Sequence, residues 1–195
     1  MSSKEAILQK IKQNQPKEIN ELPDLEPLKD TNLDVLEQYK LVLKSIGGDF
    51  VEVSNYAEVV SFVKENFDTN KCILSTLKEL SEIANLDWHN DDPHSLQDAE
   101  LILVKAHFGV AENSALWVTD EIMGQRVSTF IPQYLAIVVN KKDLVSKMHQ
   151  AYDRIGNQEY SFGTFIAGPS KTADIEQSLV LGAHGARGLT VFLME

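Results

Sequence analysis

The sequence predicts an α/β fold of three layers, with helices on both faces of a mainly parallel sheet. Short apolar runs alternate along the chain with longer segments whose apolar residues recur at helical spacing, which is the pattern of βαβ units. The runs at 101–104 and 135–139 are apolar at every position, as expected for strands covered on both faces. Hydrophobic residues form 43% of the 195 residues, which is enough to bury a core and argues against global disorder.

Residues 31–195 are expected to form one α/β domain. Its first helix follows Asn32 and ends at Gly47 and Gly48, because glycine readily adopts the left-handed conformation that terminates helices. Asn55 is expected to cap the next helix, with Glu58 placed as in a capping box. Strands are predicted over 50–53, 72–74, 101–104, 115–118, 135–139, 162–167 and 189–193, and further helices over 144–155 and 173–181.

Residues 1–30 are predicted to form an arm outside this domain. Ile7, Leu8 and Ile11 lie on one stripe of a short helix over 3–14. Prolines at 16, 23 and 27 follow among acidic residues, and because the residue before a proline avoids helical angles, this linker is expected to be extended. The arm is expected either to be mobile or to dock on another subunit, which leaves a homo-oligomer open.

The net charge of −11 argues against two classes of partner. A protein of this charge repels phosphate backbones and anionic lipid headgroups, so we expect neither nucleic acid nor a membrane surface as a partner. No apolar stretch approaches the ~20 residues that cross a bilayer, and the first residues lack the apolar core of a signal peptide. These features predict a cytoplasmic protein.

The cysteine and histidine content limits the chemistry further. Cys72 is the only cysteine, so the chain cannot by itself supply a disulfide, a four-cysteine zinc site or an iron–sulfur cluster. Because it lies in an apolar run, Cys72 is expected in the core. His89 and His94 occur close together among acidic residues, but Pro93 and the loop setting favour a solvated turn, so no metal site is predicted.

The run Gly168-Pro169-Ser170-Lys171-Thr172 follows a predicted strand and opens the last predicted helix. The N-terminus of a helix presents unpaired N–H groups, so this run is a candidate binding site for a carboxylate or phosphate. Gly168 permits a tight turn, Ser170 and Thr172 offer hydroxyls to a ligand, and Lys171 adds a positive charge. The alternative is a capped helix start, in which the same residues only satisfy the backbone.

A glycine-rich loop at 182–188 ends the same predicted helix. His184 could act as an acid–base group, and Arg187 could hold a carboxylate through two hydrogen bonds. A helix of about ten residues is about 15 Å long, so in a parallel unit its ends lie at opposite edges of the sheet. We therefore expect His184 and Arg187 to form a second site, apart from Ser170, or an interface. A purely structural turn would also explain the glycines.

Glu112, with its neighbour Asn113, lies in the loop after the strand predicted over 101–104. Ligands of open α/β sheets bind at the carboxyl ends of the strands, where this loop is expected. If the strand before Ser170 runs parallel, Glu112 and the Ser170 loop converge on one cleft, where the carboxylate could serve as base or nucleophile. The alternative is an acidic turn residue that binds backbone amides.

Together these segments resemble the LUD-domain family, and in particular its lactate-utilisation protein C group. The residues that carry the resemblance are the run from Gly168 to Glu176, the following Leu179-Val180-Leu181-Gly182-Ala183-His184-Gly185, and Ala111-Glu112-Asn113. The likeness extends from about Val35 to the end of the chain. Two positions depart from the family pattern, because Ser114 stands at a frequent glycine and Ala186 at a usual proline.

The resemblance implies the three-layer α/β/α fold of sugar isomerases and CoA-transferases (NagB/RpiA/CoA transferase-like). It also implies a role in oxidising L-lactate to pyruvate beside two iron–sulfur partner proteins. The chain would be an accessory subunit that holds no cofactor of its own and binds a small carboxylate, or docks to those partners. The expected ligand-binding residues are Asn113, Gly168, Ser170, Lys171 and Thr172.

Two alternatives remain open. The turn Ala111-Glu112-Asn113-Ser114 is also similar to the Ser-Glu-Asn-Gly turn of class I CoA-transferases, whose glutamate forms a thioester with CoA. Under that hypothesis the chain is an enzyme of the CoA-transferase or isomerase type, with Glu112 as nucleophile or base. The other alternative is a regulatory binding module in which the Ser170 loop senses an anion.

Overall fold

The computed structural model describes residues 2–15, 23–24, 34–175 and 178–195. The chain separates into two units, Met1–Thr31 and Asn32–Glu195. The first unit contains helix α1, Ser3–Gln13, which confirms the helix predicted over 3–14. Its apolar stripe is exposed, with more than half of each side chain of Ile7, Leu8 and Ile11 open to solvent.

The second unit alternates helices and strands along the chain. Its helices are α2 (Val35–Ser45), α3 (Tyr56–Asn66), α4 (Asp120–Met123) and α5 (Met148–Ile155). Its strands are β1 (Asp49–Val53), β2 (Ile73–Ser75), β3 (Leu101–Lys105), β4 (Phe108–Val110), β5 (Ala115–Thr119), β6 (Tyr134–Asn140), β7 (Leu144–Val145), β8 (Gly163–Ile166), β9 (Lys171–Ile175), β10 (Ser178–Leu181) and β11 (Gly188–Met194).

A parallel sheet in the order β1-β11-β6-β3-β2 forms the centre of this unit. Side chains alternate across it, since successive residues of a strand point to opposite faces. In β3, Ile102 and Val104 join the core on one face, while Leu101 and Leu103 join the core on the other. The predicted α/β fold with a mainly parallel sheet is therefore confirmed.

Helices cover both faces of the parallel sheet. Helix α2 packs on one face, where Tyr39 and Leu43 are fully buried. Helix α3 packs on the other face through Val59 and Val63. The predicted cap of α3 is confirmed, because the Asn55 side chain accepts a hydrogen bond from the N–H of the third helical residue at 3.2 Å.

A second sheet, in the order β7-β4-β5-β8, lies on the α2 side of the central sheet. Its β4–β5 and β5–β8 pairs are antiparallel. Leu116 and Val118 of β5 face the main core, whereas Trp117 faces the opposite way and packs in a smaller core with Ala151 and Ile155 of α5. The strands predicted over 115–118 and 162–167 thus exist, but they belong to this second sheet.

Three local predictions are wrong. The helix predicted over 173–181 is replaced by an antiparallel hairpin of β9 and β10, in which Lys171 lies opposite Leu181. The helix predicted over 144–155 begins only at Met148, because Leu144 and Val145 pair with β4 as strand β7. Cys72 is exposed, since it precedes the buried strand β2 and lies outside it.

Candidate functional site

A cavity of about 320 Å³ lies at the amino end of β6 and β11, beneath the loop 167–170 and the loop 182–187. Its walls are mostly apolar, with Phe130, Leu135, Phe165, Ile166 and Leu189 among the lining side chains. Thr129, Ser170 and His184 bring polar groups to the same lining. A mostly apolar cavity with a few polar groups is the usual form of a small-molecule site.

Backbone hydrogen bonds hold the two loops against each other. The Ser170 N–H donates to the Ala186 carbonyl at 2.8 Å, and the Gly182 N–H donates to the Ser170 carbonyl at 3.0 Å. Glycine permits this approach, because a Cβ on Gly185 would lie 3.0 Å from the Ser170 Cβ. Gly168 has a φ of +70°, which side-chain-bearing residues rarely adopt, so the tight turn predicted there is confirmed.

Ser170 and His184 share this cavity, so the expectation that they occupy opposite edges of the sheet is wrong. That expectation depended on a helix of about 15 Å between them. The β9–β10 hairpin instead leads away and returns, which brings its two ends together. The Thr172 Oγ1 consequently lies 3.4 Å from the His184 Nδ1.

Lys171 and Arg187 are not among the residues that line the cavity. The Lys171 amine donates a hydrogen bond to the Ile46 carbonyl. The Arg187 guanidinium lies over the Tyr134 ring, 5.2 Å from its centroid. Among the described residues that form the lining, His184 is therefore the one whose side chain can carry a positive charge. The ligand-binding roles of Lys171 and Arg187 stay predictions.

Glu112 lies in the turn between β4 and β5 and contacts the start of α5. Its Oε2 accepts a hydrogen bond from the Met148 N–H at 2.9 Å, and the Lys147 Nζ lies 3.7 Å from its Oε1. The neighbouring Asn113 side chain accepts from the Ala115 N–H at 3.1 Å, which closes the turn. These contacts satisfy backbone donors that the helix and the turn would otherwise leave unpaired.

The prediction that Glu112 and the Ser170 loop open into one cleft is wrong. Glu112 lines a separate cavity of about 130 Å³ together with Val35 and Gln38, at the N-terminal end of α2. Gly168, in the Ser170 loop, packs against Ile46, just beyond the C-terminal end of that helix. The eleven residues of α2 span about 16 Å, so the helix separates the two regions.

No sequence pattern indicated the apolar wall of the 320 Å³ cavity. Thr129 and Phe130 belong to the segment before β6, and Phe165 belongs to the second sheet. Their proximity to His184 depends on how the two sheets pack, which no local pattern encodes.

No group of three or more potential metal ligands occurs among residues 2–15, 23–24, 34–175 and 178–195. An iron–sulfur cluster is held by several thiolates, and the chain has one cysteine. Within the same residues, no helix is long and apolar enough to cross a membrane.

The fold and the C-terminal loops define an α/β protein with a small-molecule cavity beside its parallel sheet. Comparison with known proteins identifies its family. A sequence model of the LUD domain matches residues 36–194, so the chain belongs to the LUD-domain family. A crystal structure of a DUF162 family protein from Deinococcus radiodurans superposes with a TM-score of 0.63. The superposition covers 83% of this chain and 97% of that one, at 15% sequence identity, which shows a shared fold.

Several relatives of this chain are proteins named lactate utilization protein C. The one from Oceanobacillus iheyensis is 30% identical over 203 residues, an alignment that covers 89% of this chain and 85% of the relative. The one from Shouchella clausii is 34% identical over 107 residues, covering 50% of this chain and 47% of the relative. The resemblance to the lactate-utilisation protein C group is thereby confirmed.

Proposed function

We propose that this chain is an accessory subunit of lactate utilisation, which binds a small carboxylate in the 320 Å³ cavity while partner proteins carry the electrons. The observation that supports the role most strongly is the similarity to lactate utilization protein C along 89% of the chain. The cavity supports the binding step, since its size falls at the lower end of small-molecule sites.

Carboxylate binding is assigned to the polar end of the cavity. His184 donates a hydrogen bond to a carboxylate oxygen, and in its protonated form it also supplies the opposite charge. The Thr172 hydroxyl, 3.4 Å from the His184 Nδ1, orients the imidazole. Leu135, Phe165 and Leu189 surround the short apolar end of lactate or pyruvate and exclude water from it.

Oxidation of L-lactate to pyruvate removes two electrons and two protons, and the electrons need an acceptor. The described residues offer no ligand set for a metal centre, and one cysteine cannot supply the thiolates of a cluster. The proposal therefore places the electron acceptors in the iron–sulfur partner proteins that the family resemblance implies. This chain contributes carboxylate binding and a docking surface for those proteins.

The binding step is tested by titrating the purified chain with L-lactate, pyruvate and inorganic phosphate while its melting temperature is recorded. A ligand at one hundred times its dissociation constant adds about 2.7 kcal/mol to the free energy of unfolding. For a domain of this size that raises the melting temperature by roughly 5–11 °C. We expect a shift with lactate or pyruvate and a weaker one with phosphate.

Two variants locate the binding and connect it to lactate utilisation. His184→Gln should raise the dissociation constant at least about tenfold, since it removes a charge-assisted hydrogen bond. His94→Gln is the matched control, because His94 is exposed and distant in sequence from the cavity. Growth on L-lactate of cells that depend on this chain should fall with the first variant only. Carboxylate binding that survives His184→Gln unchanged contradicts the assignment of the site.

A further inference from the structure

A third cavity, of about 440 Å³, lies at the carboxyl end of the parallel sheet. Its lining includes Thr76, directly after β2, and Lys105, the last residue of β3. Helix α4 closes another side with Asp120, Glu121 and Ile122. Parallel α/β sheets bind ligands in the crevice beyond the carboxyl ends of their strands, which is where this cavity lies. The cavity with His184 lies at the opposite, amino end.

Two opposite charges line this cavity without pairing. Lys105 is half-buried and Glu121 is exposed, and within the described parts of the chain neither forms an ion pair or a side-chain hydrogen bond. Asp120, by contrast, lies 3.6 Å from Arg126 and is thereby partly neutralised. An ammonium without an anionic partner can form a charge-assisted hydrogen bond with a carboxylate, so a ligand that supplies a carboxylate would be stabilised at Lys105.

His107 lies two residues beyond Lys105 along the chain, and its pKa is influenced by both charges. Burial lowers the pKa of His107, Glu121 partly opposes that effect, and Lys105 adds to it. The His107 Nε2 lies 2.8 Å from the Thr119 Oγ1, and His107 is not among the residues that line the cavity. Lys105 and Glu121 are thus the oppositely charged lining residues without an ion-pair partner among the described residues, one at the end of β3 and the other on α4.

We propose that this cavity binds a zwitterionic α-amino acid with an apolar side chain. The ligand carboxylate pairs with Lys105 and its ammonium with Glu121, which balances both charges at once. A 2-hydroxy acid of the same skeleton satisfies Lys105 but brings no cation to Glu121. Leu77 and Ile122 line the remaining space and accept an apolar side chain. The cavity volume suits a ligand somewhat larger than alanine.

The test compares two ligands that differ only at one group. We would titrate the full chain with L-leucine and with its 2-hydroxy analogue by isothermal calorimetry, at millimolar concentrations. The difference between the two affinities measures how much the ligand ammonium contributes to binding. We expect L-leucine to bind at least about tenfold more tightly than the hydroxy acid. Equal affinity for the two ligands, or no binding of L-leucine, overturns the proposal.

Charge-removing variants identify the site. Lys105→Met keeps the apolar stem of the side chain, and Glu121→Gln changes an exposed residue whose loss leaves the core intact. Each should weaken L-leucine binding at least about tenfold. Lys64→Met is the matched control, because Lys64 is exposed on α3, pairs with Glu82 and should leave the affinity unchanged. Binding that survives both cavity variants refutes the assignment. His184→Gln should not alter L-leucine binding, so this result is separate from the lactate proposal.

Discussion

Replacing Glu112 by alanine tests whether its carboxylate stabilises the fold or takes part in a reaction. Its carboxylate accepts the Met148 N–H at 2.9 Å, at the first residue of α5. Loss of such a cap costs about 0.5–2 kcal/mol, and loss of the negative charge at the helix N-terminus costs about 0.3–1 kcal/mol. The Lys147 contact, at 3.7 Å and partly exposed to solvent, adds little.

We therefore expect Glu112→Ala to lower the free energy of unfolding by about 1–2 kcal/mol. The melting temperature should fall by roughly 2–8 °C for a domain of this size. Glu112→Gln retains an acceptor oxygen and should cost less than half as much. Urea unfolding followed by tryptophan fluorescence measures both, with Asp153→Ala, an exposed acid on the same helix, as the control.

Growth on L-lactate completes the experiment. If Glu112 acts as a cap, both variants support growth wherever they remain folded. The opposite result, an unchanged unfolding free energy with growth abolished by Glu112→Gln, would refute this reasoning and favour the CoA-transferase or isomerase hypothesis. Incubation with acyl-CoA and hydroxylamine would then modify the peptide that carries Glu112.

Three further predictions concern the stability of the second unit. Trp88 is 1% exposed, and its Nε1 donates a hydrogen bond to the Ser75 carbonyl at 3.0 Å. Trp88→Ala should therefore lower the unfolding free energy, measured by urea titration, by about 3–5 kcal/mol. A loss below about 1 kcal/mol contradicts the packing described. Gly182 has a φ of +79°, and a Cβ added there would lie 2.5 Å from the Arg187 Cβ. Gly182→Ala should therefore lower the unfolding free energy by at least about 1–2 kcal/mol. A stabilising effect of this substitution would exclude the loop conformation described. Burial lowers the pKa of His107 below 6.5, so on acidification the unfolded state binds the proton first. The unfolding free energy should therefore fall as the pH drops below about 6.5. His107→Gln should make that fall less steep, and an unaltered pH dependence argues against the burial of His107.

The central sheet was predictable because its signal is local. Strands covered on both faces are apolar at successive positions, and the runs at 101–104 and 135–139 became β3 and β6 with ends shifted by one residue. Helix α3 was equally predictable, since its cap and its buried stripe lie within one stretch of the chain. In each case the residues that determine the element are neighbours in sequence.

The candidate site was only partly predictable. The sequence pointed to Ser170, Thr172 and His184 as residues of interest, but it placed them at two edges of the sheet. The segment 171–181 has apolar residues that fit either a helix or a strand, and the pairing of β9 with β10 is what decides between them. A strand needs a partner that local spacing does not reveal, so the geometry of the site followed only from the fold.

The sequence by itself determined the fold class, the central strands β3 and β6, the family, and Ser170 and His184 as two of the residues that line the cavity. The tertiary structure alone decided that Glu112 contacts α5, that Ser170 meets His184, and that Lys105 and Glu121 share a cavity without pairing. The physical reason is the range of the interactions involved. Hydrophobic periodicity and helix capping act over a few residues, whereas strand pairing and sheet packing join segments that are far apart along the chain.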